Sequence, residues 1–318
     1  MEKAGRMGTP ITIFRGSSGL NTRDDPARLD VNGDLTESGI RQLSETNNVF
    51  VEESGRISRR TGYSRSSTGD YHSLFCRGGQ AYCVKNDYLC KINPDLTATQ
   101  IRQLTADAKV SYAYARKDRV YYANGHEIGY LVDGTNYTWE SEENPILDSD
   151  KDFVEPPVGH IIRYKNGRMW IASGDSLWPS MRMFLGIYWW GWSIPFQSKI
   201  TMVAPVNDGI WVSDQQSIYW IQGLEPGEQA QKRIAPYPAI EGTAVEVENG
   251  RVGIVEFIGP GLSIMCLTQG GICILGQSGF FMNTTETKID PLKNTRPFVG
   301  LQGAATVIDG RYIATIEP

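Results

Sequence analysis

Short apolar runs broken by Gly, Asn and Asp recur along this chain, and two neighbouring stretches show the unit clearly. From Arg163 to Pro179 the order is an apolar strand, an Asn166-Gly167 turn, a second strand carrying Trp170, and a polar break at Ser173, Gly174 and Asp175. From Val206 to Ile221 the order repeats: a turn at Asp208-Gly209, then Trp211, a break at Ser213, Asp214 and Gln215, and a short aromatic strand. Asn-Gly and Asp-Gly between alternating apolar positions predict tight hairpins, because type I′ turns need positive φ at both central residues.

The same pattern predicts further hairpins. Val49 to Arg60 turns at Glu53 to Gly55, His72 to Val84 at Gly78-Gly79, and Val110 to Gly125 near Lys117-Asp118. Leu267 to Gly276 turns at Gly270-Gly271, with Gly279 to Met282 as its following strand, and Thr306 to Ile316 turns at Asp309-Gly310. The turn positions Gly79, Asp118, Gly167, Gly209, Gly271 and Gly310 are 39, 49, 42, 62 and 39 residues apart. Propeller blades repeat at about 40 to 50 residues, each a small antiparallel sheet. The long interval holds a Pro-rich stretch, Leu224 to Ile240, which reads as an insertion.

The expected fold is therefore all-β: a β-propeller of about five or six blades over residues 49–318. The Val49 to Arg60 hairpin would complete the sheet begun by the last hairpin, closing the ring with both ends of the chain and removing exposed edges. A β-sandwich ranks second, since it does not require this periodicity. Residues 1–48 are polar and turn-rich and read as an extended N-terminal arm lying over the domain or a neighbouring subunit. A frayed terminus is the alternative for the first fifteen.

Composition sharpens this picture. Thirty-four Gly and sixteen Pro in 318 residues, with no window at helical period, favour many short strands joined by turns. The net charge of −5 is local: Glu140, Glu142, Glu143, Asp148, Asp150, Asp152 and Glu155 crowd one segment against Lys151 alone. The remainder is near neutral, so no basic face is expected to neutralise nucleic-acid phosphates. The residues after Met1 lack the apolar core of a secretory signal, and no apolar run reaches the length of a bilayer span, so no membrane anchor is expected. Five cysteines is an odd number, and Cys76, Cys83 and Cys90 fall on neighbouring strands. They read as buried free thiols of a reducing compartment, with disulfides as the alternative.

Candidate chemistry is sparse. There is no nucleophile elbow, phosphate loop or zinc-protease motif. His72, His126 and His160 lie in separate repeats and read as structural. Asp148 to Asp152 imitates the start of a calcium loop, but Phe153 stands where Gly is required and Gly159 where Glu is required. A solvated acidic loop is the expectation. Glu142, Glu143 or Asp150 could supply a carboxylate pair for glycoside hydrolysis, yet nothing sets their separation. No catalytic residue, cofactor or metal is expected. Trp178 to Pro195 holds four tryptophans and two methionines without strand alternation. Such a connection reads as a protein interface formed by Met181, Met183, Phe184, Tyr188, Trp189, Trp190 and Trp192, with Arg23 and Arg28 from the arm. The alternative is a connection folded into the core. Stacking on bases or sugars is less favoured, because only Arg182 and Lys199 flank the stretch.

Three segments carry a resemblance: Asn47 to Tyr63, Ile200 to Val212 with Ile218 to Gly223, and Gly270 to Phe280. Over positions 48–285 the chain resembles a family of bacteriophage and prophage virion proteins, the propeller-shaped tail hub or nozzle proteins of short-tailed phages. The resemblance implies a non-enzymatic tail subunit, hub, nozzle or adaptor, assembled with copies of itself in a ring beside other tail, portal or adaptor proteins. DNA would be a passing contact along the ring axis. The implied location is the virion, after assembly in the host cytoplasm. The family defines no catalytic residues to carry over, and the tryptophan cluster is not part of its general pattern. A carbohydrate-binding or glycoside-hydrolysing propeller is the alternative function.

Overall fold

The computed structural model describes residues 17–20, 41–43, 49–51, 57–59, 67–116, 118–140, 152–227, 229–250, 259–285, 302–308 and 311–317. The chain divides into two compact units, residues 1–64 with 285–295, and residues 65–284 with 296–318. In the first, β1 (Ser17–Leu20) pairs in parallel with β2 (Arg41–Leu43), and β3 (Val49–Val51) forms an antiparallel hairpin with β4 (Ile57–Arg59).

The second unit is a five-bladed β-propeller with almost no helix. Blade 1 is β5 (Tyr71–Arg77), β6 (Gln80–Lys85), β7 (Tyr88–Ile92) and β8 (Ala98–Gln103). Blade 2 is β9 (Ser111–Ala115), β10 (Arg119–Ala123), β11 (Ile128–Val132) and β12 (Thr135–Tyr137). Blade 3 opens with a short outer strand, β13 (Phe153–Val154), before β14 (Ile161–Lys165), β15 (Arg168–Ser173), β16 (Ser176–Met181), β17 (Phe184–Trp189) and β18 (Ile194–Pro195). Blade 4 is β19 (Ile200–Pro205), β20 (Gly209–Asp214), β21 (Ile218–Gln222) and β22 (Ala230–Ala235). Blade 5 is β23 (Val245–Glu248), β24 (Leu262–Thr268), β25 (Gly271–Leu275) and β26 (Phe281–Asn283). Strands follow chain order within each of these sheets, apart from β13 and β18, which pair with β17 and β16. The first full strand of each blade is its inner strand, and β14 touches the inner strands β9 and β19 on either side.

The core lies between blades rather than within one layer. Strand β10 sends Val120 and Tyr122 towards blade 1 and Tyr121 and Ala123 towards blade 3. Strands β15 and β20 do the same, with Trp170 facing blade 4 and Trp211 facing blade 5. These second strands are buried on both faces, which is why Met169-Trp170-Ile171-Ala172 and Ile210-Trp211-Val212 read as continuous apolar runs rather than alternating ones.

The spacing of turns has a different cause from the one expected at one position. Gly79, Asp118, Gly167 and Gly209 lie at or beside the first turn of blades 1 to 4, whereas Gly271 follows the second turn of blade 5, between β24 and β25. The 62-residue interval is long because β23 intervenes. The stretch Leu224 to Ile240 is no mere insertion, since it contains β22, the regular outer strand of its blade. Asn166 and Gly167 have φ of 52° and 76°, as the expected type I′ turn requires. Gly209 does not have positive φ; it is glycine because a Cβ there would stand 2.4 Å from both the Ile221 carbonyl oxygen and the Trp220 ring.

The closing sheet expected from the two ends of the chain is not among the described pairings; β27 (Gln302–Ile308) and β28 (Arg311–Glu317) pair with each other. β27 instead lies along the chain entering blade 5: the Gly303 N–H donates to the Glu241 carbonyl at 2.8 Å, and the Tyr312 hydroxyl donates to the Thr243 carbonyl at 2.6 Å. The arm expected over residues 1–48 lies outside the described residues except for β1 and β2, and Arg23 and Arg28 fall among those not described.

Candidate interface on the third blade

Trp178 to Pro195 is a hairpin and not an irregular connection. Its lack of alternation has two causes. Strand β16 is covered on both faces at Leu177 and Pro179 to Met181. Strand β17 is bulged: Met181 pairs with Phe184 but Ser180 with Tyr188, leaving Leu185, Gly186 and Ile187 between. The bulge turns Leu185 and Tyr188 into the cluster shared with blade 2, where the Trp139 Nε1–H donates to the Leu185 carbonyl at 3.2 Å. Outside β17, β13 adds a further strand, with Phe153 opposite Trp189 and Val154 opposite Tyr188.

Where β17 ends, the chain makes a 3-10 turn over Trp190–Trp192, and the Ser193 Oγ–H donates back to the Trp190 carbonyl at 2.7 Å. The Trp189 ring lies 6.2 Å from Trp190 and 5.6 Å from Trp192, edge-on to the latter, and Phe153 meets Trp192 edge-on at 6.3 Å. These are the spacings and tilts favoured by aromatic quadrupoles. Gly191 permits the arrangement, because a Cβ there would stand 2.6 Å from the Trp189 ring. The Arg168 guanidinium lies 6.0 Å from the Trp192 ring centre. Arg168 also donates through Nη1 to the Ser180 carbonyl at 2.8 Å and forms an ion pair through Nη2 with Glu225 of blade 4. Arg182 stands 3.7 Å from the same carboxylate. An unbroken set of contacts thus links the aromatic step to a small ionic group at the junction of blades 3 and 4.

The expected interface residues separate into three groups. Trp190 and Met183 are 64% and 63% exposed, and Phe184, Trp189 and Trp192 are half-buried. Met181 and Tyr188 belong to the core, at 7% and 0% exposure, and are not surface contacts. Phe153, Gly191, Arg168 and Glu225 were absent from the sequence-based set. No local pattern marks them together, since they lie in four separate stretches that the fold brings into contact.

The remaining candidates are structural in their contacts. His160 bridges blades 3 and 4 through Nε2 to the Ile200 carbonyl at 2.7 Å, and burial lowers its pKa. His72 meets the Ser73 hydroxyl at 2.9 Å. No group of His, Cys, Asp or Glu among the described residues is arranged to hold a metal ion, and no described helix is long and apolar enough to cross a membrane. Four cysteines are buried as free thiols, whereas Cys76 is exposed. Cys83 stands opposite Cys90 and Cys266 opposite Cys273, and burial pushes the Cys83 thiol up to about 11. Glu142, Glu143, Asp148 and Asp150 lie outside the described residues.

No family model matches the chain, and no curated protein matches it either. Among solved structures, a streptogramin B lyase superposes with a TM-score of 0.46 at 13% identity, over 74% of each chain. A gluconolactonase from Xanthomonas campestris superposes with a TM-score of 0.40 at 10% identity, over 64% of this chain and 71% of that one. PorZ, a surface component of the type-IX secretion system of Porphyromonas gingivalis, does so with a TM-score of 0.40 at 12% identity, over 74% of this chain and 29% of that one. At these identities the likeness is one of fold.

Proposed function

We propose that this protein is a non-catalytic structural subunit of a bacteriophage tail: a hub, nozzle or adaptor propeller that assembles with copies of itself and binds neighbouring tail or portal proteins. DNA is a passing, non-specific contact in this reading, and the site of action is the virion tail after assembly in the host cytoplasm. The sequence resemblance over positions 48–285 supports the assignment. The structural observation that carries it is the exposed Trp190 indole at the end of a packed aromatic step. A large, rigid, partly apolar side chain on a stiff blade is the kind of group that anchors protein interfaces. The blades themselves, buried on both faces at their second strands, would make an unyielding adaptor.

Light scattering on the purified full chain tests the reading. Assemblies of several subunits that fall apart on Trp190→Ala support it. A monomer whose melting temperature rises only with added oligosaccharide would replace it by the carbohydrate-binding reading, in which the exposed indole stacks on a sugar face.

A further inference from the structure

Arg163 sits in the middle of β14, the inner strand of blade 3. Along this strand Ile162 and Tyr164 pack towards blade 2, while Ile161 packs towards blade 4. Alternation therefore starts the Arg163 side chain on the blade 4 side. Its guanidinium nevertheless ends on the blade 2 side, where Nη1 donates to the Ser111 hydroxyl of blade 2 at 2.9 Å and to the Ile162 carbonyl of its own strand at 2.7 Å. To pass from one face to the other, the side chain crosses the free edge of β14, the edge turned to the propeller axis. The backbone of Ile162 marks that same edge: its N–H donates to the Ser111 Oγ at 3.0 Å, and its carbonyl takes the Arg163 and Ser111 hydrogen bonds.

These contacts occupy one terminal nitrogen of a group with five donors. Nε and Nη2, the pair that faces a carboxylate or phosphate side-on, have no acceptor among the described residues, and no carboxylate there forms an ion pair with Arg163. Arg163 is half-buried, so the Nε and Nη2 edge is left to solvent or to an approaching anion. Burial lowers the Arg163 pKa, and the Glu246 carboxylate, on the inner strand of blade 5, opposes this. Glu246 is itself exposed to solvent and acts at a distance.

We propose that Arg163 is the anchor of a small-anion site on the propeller axis, where its free side-on edge takes the carboxylate or phosphate group of a ligand. Ser111 and the Ile162 carbonyl hold the guanidinium in place, and Glu246 opposes the incoming charge.

The test follows thermal unfolding of the full chain in sodium acetate and in sodium phosphate, with chloride balancing ionic strength. A saturable rise in melting temperature is expected with one of the two anions: acetate assigns a carboxylate ligand, phosphate a phosphoryl one. Arg163→Gln should abolish the rise, and Glu246→Gln should lower the half-saturating concentration several-fold by removing the opposing charge. An equal rise in wild type and Arg163→Gln overturns the site, as does the absence of any saturable rise in both wild type and Glu246→Gln. Should Arg163→Gln fail to fold, the Glu246→Gln comparison decides alone, and an unchanged half-saturation point overturns the proposal.

Discussion

The Trp211 Nε1–H donates to the carbonyl oxygen of Gly276 at 2.8 Å, tying the second strand of blade 4 to the end of the third strand of blade 5. Trp170 occupies the corresponding place one blade earlier, equally buried, but its Nε1 has no acceptor among the described residues. Both indoles fill the same kind of inter-blade space, so replacing either by Phe removes similar volume. Only Trp211→Phe also leaves a carbonyl without its donor, at a cost of about 1–3 kcal/mol. Trp211→Phe is expected to lose about 2 kcal/mol more than Trp170→Phe in urea denaturation. Equal losses would show that the Trp211 hydrogen bond contributes nothing net.

Two glycines separate crowding from backbone strain. A methyl group at Gly209 meets a backbone oxygen and an indole at 2.4 Å, neither of which can retreat without opening blade 4. Gly174 has a φ of 60° but nothing within 4 Å of an added Cβ. Gly209→Ala is expected to cost about 3 kcal/mol, the upper end for overpacking, or to abolish folding. Gly174→Ala should cost about 1 kcal/mol, the strain of the left-handed conformation. Denaturation midpoints of the two variants measure the difference.

His160 makes stability depend on pH. Burial lowers its folded-state pKa, with the hydrogen bond to the Ile200 carbonyl opposing in part. The unfolded chain therefore takes up this proton first as pH falls, starting near the ordinary histidine value of about 6.5. The neutral ring's contribution is complete above that value and is lost as pH drops towards the lower folded pKa. Melting temperature measured from pH 7.5 to 5 should fall, and His160→Gln should flatten part of that slope. An identical slope in the variant would remove His160 as its source.

Trp190 and Trp192 are two residues apart and have different jobs. Trp192 packs against Trp189 and Phe153 and lies beside the Arg168 guanidinium. Trp192→Ala should therefore lower stability by about 1–2 kcal/mol. Trp190 is largely exposed, and Trp190→Ala should stay within about 0.5 kcal/mol of wild type while altering assembly mass. A stability loss at Trp190 matching that at Trp192 would make the whole step a packing feature.

Much of the propeller is legible in the chain. Asn166-Gly167 and Gly78-Gly79 announce their turns because positive φ selects these residue types, and the recurrence of such turns marks the blades. Gly209 shows the limit of that signal: the residue is the same, but its cause is the Trp220 ring folding over it, which depends on a neighbouring strand. The tryptophan hairpin shows another limit. A bulge and burial on both faces erase alternation, so a regular element reads as an irregular one, and Tyr188 looks exposed when it is core. Arg168 and Phe153 meet Trp192, and Glu225 meets Arg168, only once the fold brings distant stretches together. Arg163 and Ser111 likewise carry no shared motif, since 52 positions separate them.

Along one rim, each blade grips the next. Gln80 reaches the Asp118 carbonyl at 3.0 Å, Arg116 the Met183 carbonyl at 2.9 Å, Lys165 the Asn207 side chain at 3.1 Å, and Ser278 the Asp208 carboxylate at 2.8 Å through its N–H. These turn-to-turn links form a continuous series from blade 1 to blade 5. A load on any one of these turns is handed along the series to the neighbouring blades instead of bending a single sheet.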